Sequence, residues 1–260
     1  MTALKTSMLD TGGYKMLERK YTVKSIAYLE MNRMTRPTLL PGFPYISFNA
    51  VETLELMGAM KVLHRDSVME AIFDNGKRDR VTKITAANKV LNLLVTKGYA
   101  KVVADDHTLG YFYGLDERGL KFLRLSESEA IDEVSATDLA LYYVLNRVFV
   151  SLCNTYRETG SMEWVATLGE EWDAACLIKS KQEGQKPRGM VIKILRSYSA
   201  NEQTKEIKEL IEKYAGKEVE GFTSPPDIVV AAQHKEDGLL ELTKNGEACV
   251  TDDNIREWVL

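Results

Sequence analysis

Apolar and polar positions alternate along this chain in rhythms that predict helices for most of its length, with short β-prone runs between them. In Lys83–Gly98 (KITAANKVLNLLVTKG) the apolar residues Ile84, Ala87, Leu91, Leu94 and Val95 recur at helical spacing and line one face. Lys97 followed by Gly98 is the cation-then-glycine ending of a helix. Tyr99–Ala104 and Leu109–Leu115 are β-prone and flank the turn-like Asp105–Thr108, which predicts a hairpin. Upstream, Ser47 is an N-cap candidate for a helix over Phe48–His64, and Ser67–Phe73 predicts a second, short helix. Asp74-Asn75-Gly76 is a turn signal.

Further along, residues 126–136 are polar, acidic and without pattern, and read as a linker. Thr137–Glu158 is apolar on more than one face, so it is either buried or meets a second copy. Met162–Lys181 is expected to be a helix, because Trp164, Leu168, Trp172 and Cys176 are spaced by four. Val191, Ile194, Leu195 and Tyr198 form one helical stripe, and Ile207, Leu210, Ile211 and Tyr214 another. Gly216 and Pro225-Pro226 then punctuate the chain before the apolar Ile228–Ala232. Before all of this, Tyr21–Met34 reads as a short helix, broken by Pro37, Pro41 and Pro44.

The order helix, helix, turn, helix, hairpin over residues 46–125, with Lys97-Gly98 closing the third helix and Leu115-x-x-x-Gly119 leaving the hairpin, resembles the winged-helix DNA-binding domains of bacterial and phage regulators. Leu242-Thr-Lys-Asn-Gly246 repeats that exit late in the chain. The resemblance implies a mainly α protein with small β-hairpin wings (α+β), a winged helix-turn-helix in tandem, joined by long helices. The expected divisions are an N-terminal extension at 1–45, a winged-helix domain at 46–125, a helical linker and dimerisation region at 126–186, and a second winged-helix-like domain at 187–260. By the same resemblance the helix after the wing makes a homodimer, through residues 137–158.

Charge sharpens the functional side. The net charge of −4 divides into 19 Lys and Arg against 13 Asp and Glu over residues 1–124, and 15 against 25 beyond them. A basic half can neutralise phosphates although the whole chain is acidic, which leaves the acidic C-terminal half for a protein partner. The resemblance makes Lys83–Gly98 a recognition helix whose outer face carries Thr82, Thr85, Lys89 and Asn92, side chains that read bases in a major groove. Lys77, Arg78, Arg80 and Lys83 cluster at its start, where phosphates gain from the helix dipole. Asp105 and Asp106 at the hairpin tip repel phosphate, so this wing is expected to stay out of the groove.

No P-loop, G-x-G-x-x-G, G-x-S-x-G or H-E-x-x-H motif occurs, so an enzyme is not expected, although scattered acids and bases leave no signature. Three well-separated cysteines and three histidines make a metal site or disulfide framework unexpected, and no cofactor is implied. No apolar run reaches membrane-span length and no signal peptide opens the chain, so a cytoplasmic protein without a membrane partner is expected. The reading is a sequence-specific double-stranded DNA-binding transcription regulator. The alternatives are a tandem winged-helix replication or partition initiator of a plasmid or phage, and a winged-helix protein-docking scaffold.

Overall fold

The computed structural model describes residues 21–23, 46–74, 78–156, 160–168, 171–180, 187–195, 200–219, 222, 224–232 and 248–251. Strand β1 is Tyr21–Val23. Helix α1 (Phe48–Met60) starts where the Ser47 hydroxyl accepts the Ala50 N–H at 3.4 Å. Strand β2 (Leu63–His64) leads into α2 (Arg65–Val68), which runs on as one π turn through Met69–Phe73. Helix α3 (Arg80–Thr96) is capped by Asp79, whose Oδ1 accepts the Thr82 N–H at 2.9 Å. It stops at Gly98, with φ of 69°, where the Gly98 and Tyr99 N–H groups return to the Val95 and Leu94 carbonyls.

Strands β3 (Ala100–Asp106) and β4 (Gly110–Leu115) form the hairpin and, with β2, an antiparallel sheet in the order β2-β4-β3. Asp106 shapes the turn by accepting the Thr108 and Leu109 N–H groups through Oδ1, each at 2.8 Å. Helix α4 is Glu117–Leu123. The acidic segment after it is packed along the hairpin: Val134 N–H reaches the Val103 carbonyl, Lys101 pairs with Asp132, and Ile131 joins a small core with Val103 and Phe112.

Beyond α5 (Ala136–Tyr156) the architecture departs from expectation. Strands β5 (Gly160–Leu168), β6 (Trp172–Ser180), β7 (Arg188–Leu195), β8 (Asp227–Ala232) and β9 (Ala248–Thr251), with α6 (Ala200–Tyr214) between β7 and β8, build a mixed sheet in the order β1-β5-β6-β7-β8-β9. The pairs β1–β5, β5–β6 and β6–β7 are antiparallel, whereas β7–β8 and β8–β9 are parallel, with α6 as the crossover of the first parallel pair. Alternate strand residues serve two faces. Met162, Trp164, Cys176, Met190 and Ile192 share one core with α5 and the N-terminal helices. Val165, Ala175, Leu177 and Val191 face the other way, with Leu210 and Tyr214 of α6 against them.

The mainly α fold with small wings is therefore corrected to an α+β fold with a six-stranded mixed sheet. The described parts of Met162–Lys181 are the paired strands β5 and β6 and not a helix, because a spacing of four fits a strand's period of two as well as a helix. In the observed register Trp164 lies opposite Cys176, and Leu168 opposite Trp172. Val191, Ile194 and Leu195 of the expected stripe belong to β7, buried on both faces, which reads as a continuous apolar run, and Tyr198 lies outside the described residues. Tyr21–Val23 is an edge strand paired with β5, and the rest of the expected Tyr21–Met34 helix lies outside the described residues. Within the expected second unit, the described strands β7 and β8 belong to this one sheet, with α6 as the crossover between them. Residues 240–247, with the second glycine exit, also lie outside the described residues.

Among the described residues no helix is long and apolar enough to cross a membrane. Both sides of α5 are used within the chain. Val144, Leu145, Val148, Phe149, Leu152 and Cys153 are buried in a core that reaches from α1 to β8. Of the segment 137–158 expected to make a homodimer, these residues pack within the chain, Leu139, Tyr142, Tyr143 and Val150 are half-buried, and 157 and 158 lie outside the described residues.

Candidate nucleic-acid interface and polar cleft

Helix α3 turns Ala87, Val90, Leu91 and Leu94 into the core, and its opposite side is open. Val81, Thr85, Lys89 and Asn92 are exposed at spacings of four, four and three, and so share one outward stripe. Thr85 donates its hydroxyl to the Val81 carbonyl at 2.9 Å. Thr82 is exposed but committed to the cap, giving its hydroxyl to Asp79 Oδ2 at 2.7 Å. Arg80 is exposed at the first helical position, and Arg78 is half-buried just before it.

Lys83 is placed differently from its companions. Two positions after Val81 it points to the inner side, where its Nζ lies 3.3 Å from Asp74 and 3.5 Å from Glu70. Burial raises the Glu70 carboxyl above its ordinary range, and Lys83 opposes that shift. The structure therefore brings Thr85, Lys89 and Asn92 together on one surface, with Arg78 and Arg80 near its N-terminal end, and assigns Lys83 to an internal ion pair. Lys77 lies outside the described residues. At the hairpin tip Asp105 and His107 are exposed, while the Asp106 carboxyl is held below its usual range by the turn N–H groups it accepts.

A second site was not legible as such in the sequence. At the junction of β6, β7 and α6 a cleft of about 190 Å³ is lined by Glu171, Asp173, Lys193, Gln203, Glu206 and Leu210, among others. The β6–β7 register ends at Ala174 opposite Ile192, and the next residue, Asp173, accepts the Ile194 N–H through its side chain at 2.7 Å. Lys193 Nζ donates to the Glu171 carbonyl at 2.8 Å and stands 3.8 Å from Asp173 Oδ2. Glu171 is fixed from α6 by Lys213 at 2.5 Å and by the Tyr214 hydroxyl, which together hold its carboxyl below the ordinary range. The signal that could have found this site is the charge breaking each apolar run, Asp173 after Trp172 and Lys193 within Met190–Leu195. No group of three or more metal-ligating side chains occurs among the described residues.

No protein-family model matches the chain, and none of the curated proteins does. A solved structure, that of protein VC1899 from Vibrio cholerae, matches at 9% identity and a TM-score of 0.30, covering 83% of this chain and 56% of that one. The chain thus spans little more than half the length of that protein. A likeness at this TM-score carries no argument about fold or function.

Proposed function

We propose that the chain binds double-stranded DNA in a sequence-dependent manner through the outward face of α3. The observation that carries this reading is the open stripe of Val81, Thr85, Lys89 and Asn92 on a helix whose other face is fully engaged in the core. A helix presented in this way fits a major groove, where Lys reads guanine, Asn reads adenine and Thr meets the thymine methyl. The positive balance of the first 124 residues supplies the phosphate attraction. A role in transcription regulation follows from this reading. Lys89→Ala is expected to cost about 1–3 kcal/mol on the preferred site and far less on random DNA. Arg78→Ala is expected to weaken both and lower the salt slope by about one. Failure to bind any duplex at low salt removes the proposal.

A further inference from the structure

Val81 is the most exposed large apolar side chain among the described residues, at 72% against 53% for Tyr111 and less for Val95 and Val102. It is the second residue of α3, and its branched side chain has essentially one χ1 setting in a helix, so both methyls are held at a fixed place above the surface. Arg80, Thr82 and Thr85 near it on the helix are polar and exposed, and the Asp79 carboxylate before them is turned to the helix cap, holding the Thr82 N–H and hydroxyl. A single apolar spot with a polar and cationic rim is far below the contiguous apolar area that a protein partner covers. It matches one feature of a duplex, since the 5-methyl of thymine is the apolar group on the major-groove edge of the bases. The N-terminal residues of a groove-bound helix are also those that reach base edges.

On this basis, and resting on the duplex-binding reading above, we infer that Val81 reads a thymine methyl group, so that the preferred site contains a thymine opposite the start of α3. Lys89 and Asn92, two and three turns further on, then address neighbouring base pairs, and Val81 fixes the register between them.

The test uses the full chain and a randomised duplex library. In the enriched duplex each dT is replaced singly by deoxyuridine, which removes the 5-methyl and leaves every hydrogen-bonding group in place. One position should weaken binding by about fourfold, the factor for exposing one methyl-sized apolar group. In Val81→Ala that same replacement should have no effect, while preferences at the other positions remain. Insensitivity to deoxyuridine at every position overturns the inference and leaves duplex binding standing. Unchanged sensitivity in Val81→Ala gives the methyl to another side chain and also overturns it. A library with no enriched duplex overturns the inference together with the reading beneath it.

Discussion

Asn146, in the middle of α5, accepts the backbone N–H of His64 through Oδ1 at 2.9 Å, joining two residues 82 positions apart. The same oxygen accepts the Ser67 hydroxyl at 2.7 Å, and Nδ2 donates to the Val62 and Tyr142 carbonyls at 3.0 and 2.7 Å. One buried amide thus ties α5 to β2 and α2, with both its oxygen and its nitrogen satisfied. Asn146→Ala would strand three buried polar groups and should cost about 2–5 kcal/mol. Urea unfolding measures this. In the double variant with Ser67→Ala the cost should be less than the sum of the two single losses, because both remove the same hydrogen bond.

His64 itself should make stability depend on pH. Its Nε2 lies 2.9 Å from the Leu109 carbonyl, and its Nδ1 accepts the Asp66 N–H at 3.2 Å, so the ring is neutral with the proton on Nε2. Burial holds its pKa below the usual 6.5, with Arg65 and Arg147 assisting and Asp66 and the Leu109 hydrogen bond opposing. Above pH 6.5 the ring is neutral in both states. As the pH falls from about 6.5 toward the lower folded pKa, the unfolded chain takes a proton that the folded chain resists, and stability is lost. Urea midpoints between about pH 8 and pH 5 should show this slope in the wild type, and it should be smaller in His64→Gln.

Two glycines should respond to alanine by different amounts. A Cβ on Gly119 would collide with the Tyr99 carbonyl oxygen, a backbone atom already fixed by the Asp116 N–H. Gly119→Ala should therefore cost about 3 kcal/mol or more, or prevent folding. Gly216 has a φ of 66° and nothing within 4 Å, so Gly216→Ala meets only backbone strain and should cost about 1 kcal/mol. Thermal unfolding of both variants gives the comparison; equal shifts would contradict the packing of α4 on Tyr99.

Lys83 separates stability from recognition. Its ion pairs with Glu70 and Asp74 are largely screened from water, and Lys83→Met leaves Glu70 buried without its cation. We expect a loss of about 1–3 kcal/mol of stability. The preference for one duplex over another should be unchanged, in contrast to Lys89→Ala. A selective loss of site-specific binding in Lys83→Met would place Lys83 back on the DNA-facing side.

The sequence by itself determined those elements whose signals are local. Ser47 as a cap, the helical stripe ending at Lys97-Gly98, and a turn near Asp105–Thr108 depend on residues within a few positions of one another; the cap and the helix end occur where expected, while the turn falls at 107–109 and the helix expected to reach His64 stops at Met60, before β2. The outward placement of Thr85, Lys89 and Asn92 follows from the same periodicity. Tertiary structure decided the rest. The spacing of Trp164, Leu168, Trp172 and Cys176 satisfies both helix and strand, and pairing with β7 selected the strand. Lys83 looks free on the chain, and only the approach of the turn after α2, bringing Glu70 and Asp74, shows that it is taken. The cleft needed the β6–β7 register to set Asp173 beside Lys193, and α6 to close over them. Local periodicity specifies which face of a segment is apolar, but which partner covers that face depends on contacts between residues distant in sequence.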